Sequence, residues 1–462
     1  MKAKKIMGIG CLGILIILIG VVGFVYYNLT QNAKHYESAV VDIQLTDKNG
    51  ATVTTYYEEV DIVYADNTYV VNLNYNGKVY PFVIDTGALF VISDDFVKEA
   101  NLGRPSSQIK LTNALGKTST ANQYEINKIG LGTLVFNNLK ATVGWTPDAK
   151  ASVSSYGSIG YQLLRGSHFV QLNAARDKLI LSSNKEKLTG FNTKNKLDFT
   201  YQQGKVFDVP GIGKELKNKV IALSPTIKGI EINGEKNPNS ITEFDSGNTT
   251  HYVTLTSDLF KKYKNPEKLH TIKILIYGNG QKAVNEYQAS EAKSIKLGEI
   301  EFKNVPILEV NSLGVVDVGA YVMRHLNTTF DWGQKHQQEG VYLAPIGRSN
   351  TIDLSPESSF GIGLRYENNK VIVGKIVVNG VVEKAGIHFG DQIIKWGQTD
   401  VSNITAKQFK DYFYYPNTAI KPLSDAILGI TKRQDSLHIS VVNKKGDTIS
   451  RTIQRHYPFS KK

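Results

Sequence analysis

Two short strings carry residues that could do chemistry. Phe82-Val83-Ile84-Asp85-Thr86-Gly87 is an apolar run ending in an acid, a hydroxyl and a glycine; Thr242-Glu243-Phe244-Asp245-Ser246-Gly247 repeats the pattern 160 residues later. An apolar strand that ends this way buries itself and delivers its carboxylate at a turn. The glycine lets the backbone pass close and leaves its amide free to bond the acid. The hydroxyls of Thr86 and Ser246 can bond backbone in a facing copy. One such tripeptide is weak evidence, because Asp, Ser, Thr and Gly are ordinary turn residues. Two, each at the same place of a repeated unit, predict a pseudo-twofold that sets Asp85 against Asp245. Carboxylates about 3 Å apart cannot both ionise, so such a pair shares one proton. One oxygen can then take a proton from water while the other carboxyl donates to a carbonyl oxygen. That is equipment for peptide hydrolysis without a metal or a covalent intermediate.

The elements that must position these acids repeat too. Leu131-Gly132-Thr133-Leu134-Val135-Phe136-Asn137-Asn138-Leu139 returns as Leu297-Gly298-Glu299-Ile300-Glu301-Phe302-Lys303-Asn304-Val305, and Ser158-Ile159-Gly160-Tyr161 as Asp317-Val318-Gly319-Ala320. Three landmarks in one order predict two homologous lobes, 60–190 and 191–346. Strands are expected at Thr68–Tyr75, Lys78–Ile84, Gln108–Thr112 and Leu134–Val143, with a hairpin turn at Asn76–Gly77. Short helices are expected at Asp94–Ala100 and Ser257–Tyr263. Residues 347–358 lack periodicity and read as a linker. A compact α+β module follows over 359–456, of ordinary domain size.

The composition is that of a globular chain: 462 residues, 41% hydrophobic, 21% charged, with 40 Gly, 24 Tyr and 18 Phe favouring strands and turns. The net charge of +12 is spread without a block of like charges, so it reads as a lysine-rich solvated surface and not as a nucleic-acid site. Cys11 is the sole cysteine, which excludes an intrachain disulfide and any CxxC site. No HExxH is present, so no metal is expected, and Ser152–Ser155 lack a G-x-S-x-G context and read as loop. Asp317, Asp331 and Asp391 read as structural acids. Ile6 to Tyr27 is almost wholly apolar behind Lys2, Lys4 and Lys5. At 1.5 Å per residue that run is about 33 Å long, enough to span a bilayer core. Residues 1–33 therefore read as an uncleaved signal anchor, N-terminus cytoplasmic and the remainder extracytoplasmic; a cleaved signal peptide releasing a secreted or periplasmic protein is the alternative. Gly8-Ile9-Gly10-Cys11-Leu12-Gly13 matches GxGxxG but follows no strand, so it is not read as a nucleotide site.

On both Asp-Thr/Ser-Gly motifs, Ile159-Gly160, Val318-Gly319 and the run Tyr321–Asp331, residues 60–346 resemble the aspartic proteases of the pepsin and retropepsin superfamily. The resemblance implies a mostly β, two-lobed acid-protease fold. It implies Asp85 and Asp245 as the catalytic pair supported by Thr86, Gly87, Ser246 and Gly247, peptide or unfolded-protein substrates, and no cofactor. It also implies a flap over the substrate at Thr112–Ala121, with Leu115 and Gly116 at its tip and Leu115 where pepsins carry tyrosine. Ala88 and Asn248 follow the two glycines, where pepsins have hydroxyls. The tail resembles a PDZ domain. Ser359-Phe360-Gly361-Ile362-Gly363-Leu364 matches the carboxylate-binding loop and Val382-Glu383-Lys384-Ala385-Gly386-Ile387 a later stretch. That implies a C-terminal peptide held at Phe360, Gly361 and Ile362 by strand addition. The reading is a membrane-anchored aspartic endopeptidase with a PDZ domain; the alternative is a catalytically weak peptide-binding protein on the same fold.

Overall fold

In a computed structural model of the chain, the described residues are 43–65, 68–112, 118–145, 155–188, 190–191, 193–200, 224–248, 250, 252–278, 281–310, 314–332, 340–355, 361–405, 408–409 and 436–454. All belong to one compact unit. The expected anchor segment 1–33, the expected flap tip Leu115–Gly116 and Phe360 lie outside them. Among the described residues no helix is long and apolar enough to cross a membrane.

The chain is mostly β, built from two similar lobes. In the first, Thr68–Tyr75 and Lys78–Asp85 form a hairpin, Val70 opposite Val83. Its turn places Asn76 and Gly77 at φ 51° and 77°, the pair of positive values that Asn-Gly favours and that matches strand twist. Phe82 and Ile84 enter the main core, and alternation turns Val83 and Asp85 to the other face. Lys78–Asp85 runs parallel to Gly157–Gly160, Asp85 beside Gly160, and Val91–Ser93 lies on the far side. The second lobe repeats this plan. Glu235–Asp245 runs parallel to Val316–Gly319, Asp245 beside Gly319, with Val253–Leu255 beyond. Helices Asp94–Glu99 and Ser257–Tyr263 occupy equivalent places, as do Tyr161–Leu164 and Ala320–Met323. Ser93 Oγ caps the first of these by accepting from the Phe96 amide at 3.1 Å.

The lobes join through an antiparallel sheet ordered Lys196–Asp198, Gly340–Pro345, Leu326–Asp331, Phe169–Asn173, Lys178–Ser182, Tyr57–Ala65. Its centre is the pairing of Phe169–Asn173 with Leu326–Asp331, where Gln171 Nε2 donates to Thr329 Oγ1 at 2.8 Å.

Three boundaries differ from the sequence reading. Leu134–Val143 is two strands, Leu134–Asn137 and Leu139–Trp145, broken where Asn138 takes φ 60°. Ahead of residue 60, where the first lobe was expected to start, Gln44–Thr46 pairs with Leu134–Asn137 and Tyr57 opens the strand Tyr57–Ala65. Within the expected linker, Thr351–Asp353 is a strand parallel to Glu301–Lys303, and Leu354 is buried. Short polar strands of this kind are fixed by a neighbour, so periodicity does not mark them.

The tail module has Ile362–Glu367 and Lys370–Val377 as a hairpin, helix Val381–Lys384, and strands Gln392–Trp396, Ser436–Val442 and Thr448–Gln454. One edge of Lys370–Val377 carries Ile362–Glu367. Its other edge carries Gln392–Trp396 at Val371–Ile372 and, further along, the second lobe's His270–Gly278.

Candidate active site

The two motif turns meet between the lobes. Thr86 Oγ1 donates to Phe244 O at 2.6 Å and accepts from the Ser246 amide at 2.9 Å. In return Ser246 Oγ donates to Ile84 O at 2.8 Å and accepts from the Thr86 amide at 3.0 Å. Each hydroxyl thus satisfies one donor and one acceptor of the opposite lobe, and both side chains are fully buried. The glycines explain how close the turns come. A Cβ on Gly247 would stand 2.3 Å from Cγ of Asp85, and one on Gly87 would stand 2.6 Å from Cγ of Asp245. Any side chain at either position would displace the opposite lobe's carboxyl.

Asp85 and Asp245 hydrogen-bond one another. Burial, followed by the negative charge of Asp245, pushes Asp85 well above the usual carboxylate range, so the pair carries a proton where isolated carboxylates would both be ionised. Burial also raises Asp245. Its bond to Asp85 and the backbone amides of Gly247, Gly87 and Asn248 oppose that rise. The Gly247 amide reaches Asp245 Oδ1 at 2.8 Å.

A second carboxyl pair lies beside the first. Glu243 shares the face of Asp245 and stands opposite Asp317 in the parallel register. Asn248 does not turn its side chain to Asp245. Its amide donates to Asp317 Oδ2 at 3.0 Å, and its oxygen accepts from Thr250 N and Oγ1. Burial, then the charges of Asp245 and Glu243, raise Asp317 well above the usual range. Its Oδ1 is buried without a hydrogen-bond partner. The first lobe has Val83 and Ser158 at the matching places, so these extra acids belong to one lobe. Sequence reasoning passed over Glu243, although its place two residues before Asp245 already put both acids on one face.

Burial raises Glu243 to about 7, opposed by the Ser224 hydroxyl. A carboxyl raised on folding gives stability that is complete below its unfolded value and lost as pH rises through the folded one. Glu243→Gln keeps that stability. Between pH 5 and 8 the wild type is expected to lose on the order of 2 kcal/mol relative to the variant, read from denaturation midpoints at both pH values. Parallel curves would contradict this.

Of the other expected positions, Gly361 and Ile362 open the tail hairpin, Gly361 at φ 66°. Strands Ser107–Thr112 and Thr118–Ile126 pair antiparallel on either side of residues 113–117, within which the expected flap tip falls. Asp391 fixes a loop, accepting from the His388 amide at 2.7 Å. Among the described residues no group of His, Cys, Asp and Glu is arranged to hold a metal ion.

Residues 71–163 match the family described as aspartyl protease. The match contains the first motif and its partner strand Gly157–Gly160, and supports a protease function. Similar solved structures include a retropepsin-like aspartic protease from Rickettsia conorii, 20% identical over 28% of this chain and 92% of its own, TM-score 0.20. The aspartic proteinase from Irpex lacteus is 12% identical over 63% of this chain and 97% of its own, TM-score 0.36. No curated protein matches the chain.

Proposed function

We propose that the chain is an aspartic endopeptidase whose acid and base are Asp85 and Asp245. The observation that carries this reading is the hydrogen-bonded carboxyl pair, held by reciprocal Thr86 and Ser246 bonds across the lobes. Asp245 takes a proton from the attacking water while Asp85 gives its proton to the carbonyl oxygen, forming a neutral gem-diol. Collapse of that diol returns a proton to Asp85 and passes one from Asp245 to the leaving amine, which restores the pair. Thr86, Gly87, Ser246 and Gly247 are positioning residues that hold the two carboxyls at this separation. The test is a digest of a random peptide mixture by the full chain, with products mapped by mass spectrometry. Internal cleavage supports the reading. Binding of the peptides without any cleavage favours the peptide-binding alternative.

The apolar run behind Lys2, Lys4 and Lys5 supports a single-pass anchor with the protease outside the cytoplasm. The Gly361–Leu364 pattern and the strand Ile362–Glu367 that it opens support a PDZ fold for the tail, with a peptide C-terminus as its ligand.

The pH profile follows from the two positions after the glycines. Ala88 has no donor, and the Asn248 amide is engaged by Asp317. The outer oxygens thus lack hydroxyl bonds that would favour the charged form, so the shared proton is held to higher pH. The active form is the singly protonated pair, and the upper limb of kcat/KM moves up with it. The expected optimum is weakly acidic to neutral, and Ala88→Ser is expected to lower the upper limb by about half a pH unit or more. A strongly acidic optimum unmoved by that substitution would overturn this explanation.

A further inference from the structure

We propose that the tail module occupies the substrate cleft of its own chain and holds the protease in a self-inhibited state. The inference rests on the proteolytic reading above and adds its regulation. Contacts on both walls beside the carboxyl pair carry it.

On the first wall, Val83 lies on the face of Asp85, two residues before it, and pairs with Val70, which pairs with Val63. This apolar stripe borders the acid. Val83 and Val70 are only 2% and 5% exposed, yet they do not join the main core. They cluster with Tyr366, Val371, Val373 and Ile376 of the tail, and Val63, Ile362 and Leu364 pack against that cluster.

On the second wall, Tyr252 lies just beyond the second motif and clusters with Ile272, Ile274, Ala289 and Leu308. Val377 of the tail packs against this group. Lys375 Nζ lies 5.7 Å from the centroid of the Tyr252 ring, a cation–π contact.

The backbone completes the arrangement. Lys375, Ile376 and Val377 pair antiparallel with Ile274, Lys273 and Ile272, and the Val378 amide donates to Thr271 O at 3.0 Å. The hairpin they join, His270–Gly278 with Gln281–Leu297, stands in the second lobe where Ser107–Ile126 stands in the first. A strand of the tail is thus added to the flap-equivalent hairpin, as an extended peptide would be. With Ile362–Val377 covering one wall and pairing along the other, a substrate must displace the module before it reaches Asp85 and Asp245. Cleavage then requires an open state, and anything that favours it raises the rate by the same factor.

Two readouts in the full chain test this. In a Cys11→Ser, Val83→Cys background the thiol reports the cleft directly. Its maleimide reaction is expected to quicken at least about tenfold when Val377→Asp or, as a milder second variant, Lys375→Glu is added. Equal labelling rates would overturn the covering of the cleft whether or not the protein cleaves anything. In the chain with native Val83, the same tail substitutions are expected to speed cleavage of an unfolded protein mixture at least about tenfold, and Asp85→Asn should abolish that gain. Faster labelling with an unchanged, measurable cleavage rate would overturn self-inhibition and leave the protease reading standing. Faster labelling with no cleavage by any variant would instead overturn the protease reading on which self-inhibition rests.

Discussion

Asp85→Asn is expected to lower kcat/KM by at least about a thousandfold, and Asp245→Asn by a similar factor. The two carboxyls act as one proton-sharing unit, so losing either removes both the acid and the base of the step. Asn at position 85 cannot carry the proton that the carbonyl oxygen needs. Asn at 245 cannot accept one from water. The effects should not add: the double variant is expected to match the singles within about an order of magnitude. The comparison is best made both in the native chain and with Val377→Asp, since an open cleft raises the reference rate. Turnover by either single variant at more than a few percent of its reference would overturn the assignment.

Thr86→Val carries the largest expected effect on stability. It keeps the shape and removes the hydroxyl, leaving Phe244 O and the Ser246 amide buried without their partners at 2.6 and 2.9 Å. Each unsatisfied group costs about 1–3 kcal/mol. The thermal midpoint is expected to fall by about 5 °C or more, with Thr86→Ser recovering most of the loss. Because the same bonds hold the carboxyls together, activity should fall well below the unfolding range. A midpoint within a degree of wild type would mean that the reciprocal bonds do not tie the lobes.

The parts legible in the sequence were those written in local periodicity. Phe82 and Ile84 alternate with Val83 and Asp85, and the same alternation around Phe244 and Asp245 exposed the repeat. Asn-Gly at 76–77 fixed a hairpin because few other pairs accept two positive φ values. What stayed hidden depends on partners far along the chain. Thr351–Asp353 is polar and short, and becomes a strand only beside Glu301–Lys303. Asn248 follows the second glycine, where a donor could reach Asp245, yet its amide donates to Asp317, 69 residues further along the chain. Val83 and Val377 read as ordinary strand residues. Nothing local says that one borders a cleft and the other packs on its far wall.

The most direct test of the account is a single-turnover digest in water enriched in oxygen-18, with hydroxylamine present and the Val377→Asp chain in excess over a peptide substrate. Water activated between Asp85 and Asp245 should place one solvent oxygen in the new carboxyl on the first turnover, with no hydroxamate formed. A hydroxamate product, or a first-turnover carboxyl without solvent label, would show a covalent acyl intermediate and contradict the central claim.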